Sequence, residues 1–287
     1  MIAKLLRVKQ WYKNLVIFLP IIFGQQLGNT HALWLTLIGF FALCFVSSAN
    51  YIINDIADRK ADMHHPEKRM RPIASGKVKG WQGIVAVILL LIVASILSIA
   101  LSRSFLYFLA GLFALGQLYT FLLRKEAFLD IMTLGSLFVL RAVSGSYIIS
   151  SNGKPYIWVS PWLILCPFFL SLFLSAGKRE ADIMLLGNKA SLHKQVMEAY
   201  SKKVTGALTL ISTTLLVTSY SFYSFLTQNE RLAYTLPIAL YVIFRYLYLI
   251  ETGNVIARSP ENFYKDKRLT IGIIVWIATL LSILYFI

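Results

Sequence analysis

Apolar residues recur along this chain in nine runs separated by polar stretches: 14–28, 31–53, 82–101, 105–123, 128–150, 157–177, 204–227, 232–250 and 269–287. Crossing about 30 Å of hydrocarbon takes about 20 mostly apolar residues. Lipid offers backbone N–H and C=O groups no other partner, so runs of this length predict membrane-spanning helices. The first run is the shortest and starts among the interfacial residues Trp11 and Tyr12. Polar connections alternate between brief and long, the long ones being 54–81, 178–203 and 251–268. No stretch reads as a soluble domain, a linker or a low-complexity segment, so a single transmembrane domain over residues 1–287 is expected.

Composition agrees with the pattern. The chain is 57% hydrophobic and 14% charged, with a mean hydropathy of +0.67, where a soluble protein is roughly a quarter charged. The start, "MIAKLLRVKQWYKN", lacks a small-residue cleavage site and reads as a retained interfacial segment. Cys44 and Cys166 both fall inside apolar runs and read as small core residues.

Charge sets the expected orientation. With the N-terminus inside, only Arg103, Lys154 and Arg231 fall on outer connections and Arg141 and Arg245 within runs, leaving 23 of the 28 Lys and Arg residues on inner segments. Positive loops stay in the cytoplasm. The net charge of +15 thus reflects topology, and nucleic acid is excluded as a partner. The expected location is the plasma membrane, with the N-terminus and the polar clusters cytoplasmic. Ten of the 13 carboxylates, counting Glu251 at an edge, lie in the same three long inner segments.

One of those segments follows "LWLTLIGFFALCFVSSANYII" directly and begins "NDIADRKAD", residues 54–62. Asn54, Asp58 and Asp62 are four apart and share one helical face, with Asp55 adjoining. Such acceptors repel one another unless a cation sits between them. Hard oxygen ligands combined with substrate phosphates suit Mg²⁺. The plainer reading is a solvated helix end in which Asp58 and Asp62 pair with Arg59 or Lys68. An EF-hand fails, because its Gly and its final Glu are missing.

Next comes "HPEKRMRPIASG", in which Pro66 ends the helix and Pro72 and Gly76 punctuate the loop. Lys68, Arg69 and Arg71 are thereby kept near the acids. Guanidinium groups grip phosphate oxygens bidentately and lysine acts as a mobile charge, so acids beside bases fit a diphosphate with its metal. The bases also serve simply to retain the loop inside. His64 and His65 are weaker candidates, since a hard-oxygen site needs no imidazole.

A second cluster, "SAGKREADIMLLG", offers Lys178 and Arg179 for phosphate or as an inner anchor, with Glu180 or Asp182 as a second metal site or as orienting groups. Asp130 and Arg141 fall within one run, and an ionisable residue at that depth marks function, making Arg141 a candidate for a deep anion. Arg245 snorkels from near its run's end. Lys9 and Lys13 stand at headgroup level, open to lipid or to substrate phosphate.

"NDIADRKAD" resembles the N-D-x-x-D-x-x-x-D signature of the UbiA superfamily of intramembrane prenyltransferases, nine-helix enzymes that hold Mg²⁺ and a diphosphate there. "KQWYKN", residues 54–76, "LDIMTLGSLFVLRAVSGS" and "LSAGKREA" are together similar to its decaprenyl-phosphate phosphoribosyltransferase branch. The fold implied is all-α integral membrane, with about nine transmembrane helices around a central cytoplasm-facing cavity. The substrates implied are phosphoribosyl pyrophosphate and a polyprenyl phosphate, with Mg²⁺ as cofactor and a homo-oligomer left open. The resemblance carries metal and diphosphate contact to Asn54, Asp58 and Asp62, and phosphate contact to Lys13, Lys68, Arg69, Arg71, Lys178 and Arg179.

Together the two readings give Asp58, Asp62, Lys68 and Arg69 as catalytic and Lys13, Asn54, Arg71, Arg141, Lys178 and Arg179 as substrate-binding. Asn54, Asp55, Asp58 and Asp62 are the metal set. Where prenyl-diphosphate users carry a second aspartate motif, this chain has "KREADIMLL", which favours a substrate with additional phosphates. The alternative is transfer of a polyprenyl group from its diphosphate onto an aromatic or other small acceptor. A transporter would place its charges near the midplane, whereas these gather at one edge.

Overall fold

The computed structural model describes residues 1–64, 68–149, 153–186, 199–227 and 229–286, and its regular elements are all helices. His65, Pro66, Glu67 and Glu198 lie outside the described residues. Among the described residues eight helical spans are long and apolar enough to cross a membrane. They are built on α1 (Thr30–Ala57), α2 (Gly80–Leu101), α3 (Arg103–Phe121), α4 (Leu129–Ser144), α5 (Pro161–Leu186), α6 (Lys202–Leu226), α7 (Leu236–Glu251) and α8 (Lys267–Tyr285), the spans of α4 and α7 being completed by the 3-10 segments Gly145–Tyr147 and Glu230–Thr235. The chain divides into two compact units, residues 1–123 with 140–159 and residues 124–139 with 160–287.

The first expected span, 14–28, takes a different form. Val8–Phe18 is a 3-10 helix and Leu19–Phe23 a short α-helix, after which Gln25 adopts a left-handed φ of 54°. A 3-10 run of this length is uncommon. One side of it packs inward, with Asn14, Ile17, Pro20 and Ile21 buried, while Leu15 is exposed. Gly145 makes room for it: a Cβ there would strike the carbonyl of Ile17.

Within the first unit α1 is the central element, 56% buried, whereas α2 is 17% buried and faces outward. Lipid gives helices no hydrophobic reason to associate, so small residues that admit close contact matter most. Gly83 of α2 is such a residue; a Cβ there would lie 3.1 Å from Ile56 and 3.4 Å from Ile52 and Ile73. Helix starts are set by side-chain caps: Asn29 accepts from Ala32 N at 3.1 Å, and Ser102 from Phe105 N at 3.0 Å. Each such cap is worth about 1 kcal/mol.

In the second unit α5 packs along α6. The facing side of α6 is small and polar, with Thr205, Thr209, Ser212 and Thr213 buried. Gly177 of α5 lies against Ile250, inside a cluster with Phe173, Leu216 and Leu249. α5 also runs well past the expected end of its span, so Lys178, Arg179, Glu180 and Asp182 are helical residues.

Candidate active site

α1 carries Asn54 and Asp55 on its last turn and is capped by Asp58, whose φ of −89° and ψ of 1° end the helix. A new short helix, Arg59–His64, then carries Asp62. The break regroups the acids. Asp55, 2% exposed, and Asp62, 3% exposed, share Arg71: its Nη1 donates to Asp55 Oδ1 at 3.1 Å and to Asp62 Oδ2 at 2.6 Å. Arg7 also ion-pairs with Asp55, and Lys68 Nζ stands 4.0 Å from Asp62. Asn54 Nδ2 donates to Asp58 Oδ2 at 3.1 Å. The expected single ladder of Asn54, Asp58 and Asp62 is thus two pairs, Asn54 with Asp58 and Asp55 with Asp62.

The loop geometry follows from its punctuation. Gly76 has a φ of 75°, which favours glycine, and the Val78 amide returns to the carbonyl of Pro72 at 3.0 Å. Ile73, fully buried among Ala49, Ile52 and Val87, anchors the turn next to α1. Arg71, two residues earlier, is thereby delivered to the acids. Arg69 and His64 are exposed.

Cations gather one turn earlier along α1. The Arg7 guanidinium lies 4.9 Å from the centre of the Tyr51 ring, and Lys13 hydrogen-bonds the Tyr51 hydroxyl. Arg141, 7% exposed, donates from Nε to Asn14 Oδ1 at 2.8 Å, an oxygen that also accepts from Ser47 at 3.2 Å. Asn14 Nδ2 approaches Cys44 Sγ at 3.2 Å. Arg7 and Tyr51 escape a reading of spans. Tyr51 had one signal, standing four residues before Asp55; Arg7 had none, because its left-handed backbone (φ 49°) is not written in its neighbours.

The second cluster is bound internally. Arg179, 6% exposed, ion-pairs with Asp130, and its guanidinium lies 4.7 Å from the centre of the Tyr200 ring. The Tyr200 hydroxyl donates to Asp130 Oδ1 at 2.7 Å and accepts from Phe128 N at 2.9 Å. Burial, reinforced by this bond to Asp130, raises the Tyr200 hydroxyl to about 12. Thr209 donates to Glu180 Oε2 at 2.6 Å and Arg258 to Asp182 Oδ1 at 2.7 Å, so these two acids have separate partners. Lys178 is exposed. Arg245 pairs with Asp266 at 2.6 Å.

Among the described residues no three His, Cys, Asp or Glu side chains form a metal cluster. The shared Arg71 accounts for part of this, since it occupies oxygens of Asp55 and Asp62. Asn54 and Asp58 supply hard oxygen donors at a half-buried helix end. Such a set suits a cation that keeps waters and takes other ligands from substrate phosphates; an all-protein cage would need more donors.

Eight apolar spans among the described residues and a polar site at the end of one of them define a multi-pass membrane protein with charged chemistry at a helix terminus. The sequence pattern of the UbiA prenyltransferase family matches residues 15–261, and the chain belongs to that family. It is 31% identical to the decaprenyl-phosphate phosphoribosyltransferase of Corynebacterium glutamicum, over 98% of this chain and 86% of that protein. It is 28% identical to the protein of the same name from Mycolicibacterium smegmatis, over 99% of this chain and 92% of that one. In fold it is similar to a UbiA homologue from Archaeoglobus fulgidus bound to DMAPP and Mg²⁺, with a TM-score of 0.70, 17% identity and 98% of both chains covered.

Proposed function

We propose that this protein transfers 5-phosphoribose from phosphoribosyl pyrophosphate to a polyprenyl phosphate and releases pyrophosphate, the whole chain acting as one catalytic domain. The observation that carries the reading is the cation-rich surround of a short acidic helix end: Arg7, Lys13, Lys68, Arg71 and Arg141 all belong to the unit that holds Asn54 and Asp58. Both substrates are phosphorylated, so this reaction brings more negative charge together than prenylation of a neutral acceptor does. Whole-length similarity to two decaprenyl-phosphate phosphoribosyltransferases supports the same choice.

Asn54 and Asp58 are the residues that would hold Mg²⁺, which when bound supplies Lewis-acid charge to the departing diphosphate. Asp55 and Asp62 fix Arg71 and Arg7 in place, so that guanidinium charge is preorganised before substrate arrives. Lys68 and Arg69 neutralise the outer diphosphate oxygens. Lys13, with Tyr51 beside it, and Arg141 face the second phosphate. The acceptor phosphate is already anionic, so its oxygen attacks the anomeric carbon without a strong general base as the C–O bond to pyrophosphate breaks. A single displacement inverts that carbon. In the second unit Lys178 offers exposed charge to substrate phosphate, and Arg179 is held by Asp130. The N-terminus and the site face the cytoplasm, where phosphoribosyl pyrophosphate is available.

Radiolabelled phosphoribosyl pyrophosphate and labelled prenyl diphosphate, offered separately to the same membranes, test this reading. Label from the sugar donor is expected in the lipid fraction with inverted configuration. Label transferred only from the prenyl donor to an aromatic acceptor would replace the proposal with prenyl transfer.

A further inference from the structure

In the second unit, α7 and α8 run antiparallel, tied at one end by Arg245 and Asp266. Along their outer side lies a groove of about 470 Å³, lined by Pro237, Tyr241, Arg268, Ile271, Gly272 and Val275. Gly272 forms its floor, where the helices come close: a Cβ there would stand 3.1 Å from Val242 and 3.2 Å from Tyr241. The groove is open along its length, with Tyr241 48%, Ile271 61% and Val275 44% exposed.

Depth and charge decide what fits it. From Arg268 to Val275 the helix rises roughly 10 Å, which lies within one leaflet of a core about 30 Å thick. At the Arg268 end the preceding residues Phe263 and Tyr264 are exposed aromatics, the kind of side chain that marks the headgroup level. Lys265, Lys267 and Arg268 are exposed at the same end, and the acid among them, Asp266, is engaged by Arg245 and by the Leu269 amide. An apolar slot with a cationic mouth at headgroup depth matches a chain carrying a phosphate at one end.

We infer that this groove is a specific site for an anionic glycerophospholipid, with one acyl chain lying along it over Ile271 and Val275 and the phosphate at Arg268. Guanidinium suits that phosphate because it donates bidentately, while Lys265 and Lys267 supply point charge. The site is independent of the proposed transferase reaction.

The test is native mass spectrometry of the full-length protein, delipidated in detergent and titrated with phosphatidylglycerol or phosphatidylcholine. Phosphatidylglycerol is expected to bind at a discrete stoichiometry and at least about fivefold more tightly than phosphatidylcholine, the scale of one basic contact at a membrane surface. Arg268→Gln should reduce that preference severalfold, Lys265 and Lys267 retaining the remainder. Val275→Trp, which fills the groove from an exposed position, should weaken phosphatidylglycerol binding while leaving the unfolding midpoint unchanged. Equal retention of both lipids, an unchanged preference in Arg268→Gln, or exclusive retention of a polyprenyl phosphate would overturn the assignment. So would a dimer that buries Val275 without bound lipid.

Discussion

Arg71 is the residue on which the local architecture turns. It donates to Asp55 at 3.1 Å and Asp62 at 2.6 Å, both nearly fully buried. Removing one partner from a buried ionic group typically costs about 3–5 kcal/mol where it strands the other charge; here Arg7 stays on Asp55 and Lys68 near Asp62, so the loss is smaller. Arg71→Gln should therefore lower the thermal unfolding midpoint in detergent as well as turnover. Loss of turnover with an unmoved midpoint would assign Arg71 to substrate contact alone. Much of this site was legible in residues 54–76: the acids, the bases and the loop punctuation all read as one place. The pairing was not. Spacing of four assumes one uninterrupted helix, and the helix stops at Asp58, so Asp55 rather than Asp58 ends up sharing a cation with Asp62. The pairing of Arg179 was not legible for a related reason, since its partners Asp130 and Tyr200 are distant in sequence.

At the scale of elements, the 3-10 segment Val8–Phe18 presents Lys13 and Asn14, and it depends on Gly145. Gly145→Ala would drive a methyl into the Ile17 carbonyl, and overpacking of this kind typically costs about 1–3 kcal/mol. The expected outcome is a lowered unfolding midpoint and weakened lipid-phosphate binding, read by the KM for the acceptor. The shortness of the first apolar run was its one signal; its 3-10 form was not legible, because a 3-10 stretch packed on one side and a spanning helix can share a composition. The junction of α7 and α8 makes a pH prediction. The hydrogen bond from Arg245 holds the Asp266 carboxyl below its ordinary range. A lowered folded-state pKa stabilises above the unfolded value and is lost as pH falls through the folded one. Stability should thus decline on acidification below the ordinary carboxylate range, and Asp266→Asn should flatten that limb in unfolding measured across pH.

For the whole molecule, the concentration of Lys and Arg on alternate connections predicts which ends of the spans face the cytoplasm. Lys77 and Lys154 are both exposed, on connections expected to face opposite sides. In right-side-out vesicles an impermeant maleimide should label Lys154→Cys directly and Lys77→Cys only after permeabilisation; the reverse pattern would invert the topology and remove access to a cytoplasmic sugar donor.

The central claim is that Asn54 and Asp58, where α1 terminates, carry a divalent cation against a leaving diphosphate. Pyrophosphate release by purified protein, with phosphoribosyl pyrophosphate and polyprenyl phosphate supplied across a Mg²⁺ titration, tests it most directly. Asp58→Asn should cut turnover at least about a hundredfold, the scale of one strong electrostatic contact, with its unfolding midpoint retained and chelation silencing the unsubstituted enzyme. Full turnover by Asp58→Asn, or by the unsubstituted enzyme in excess chelator, would contradict the account.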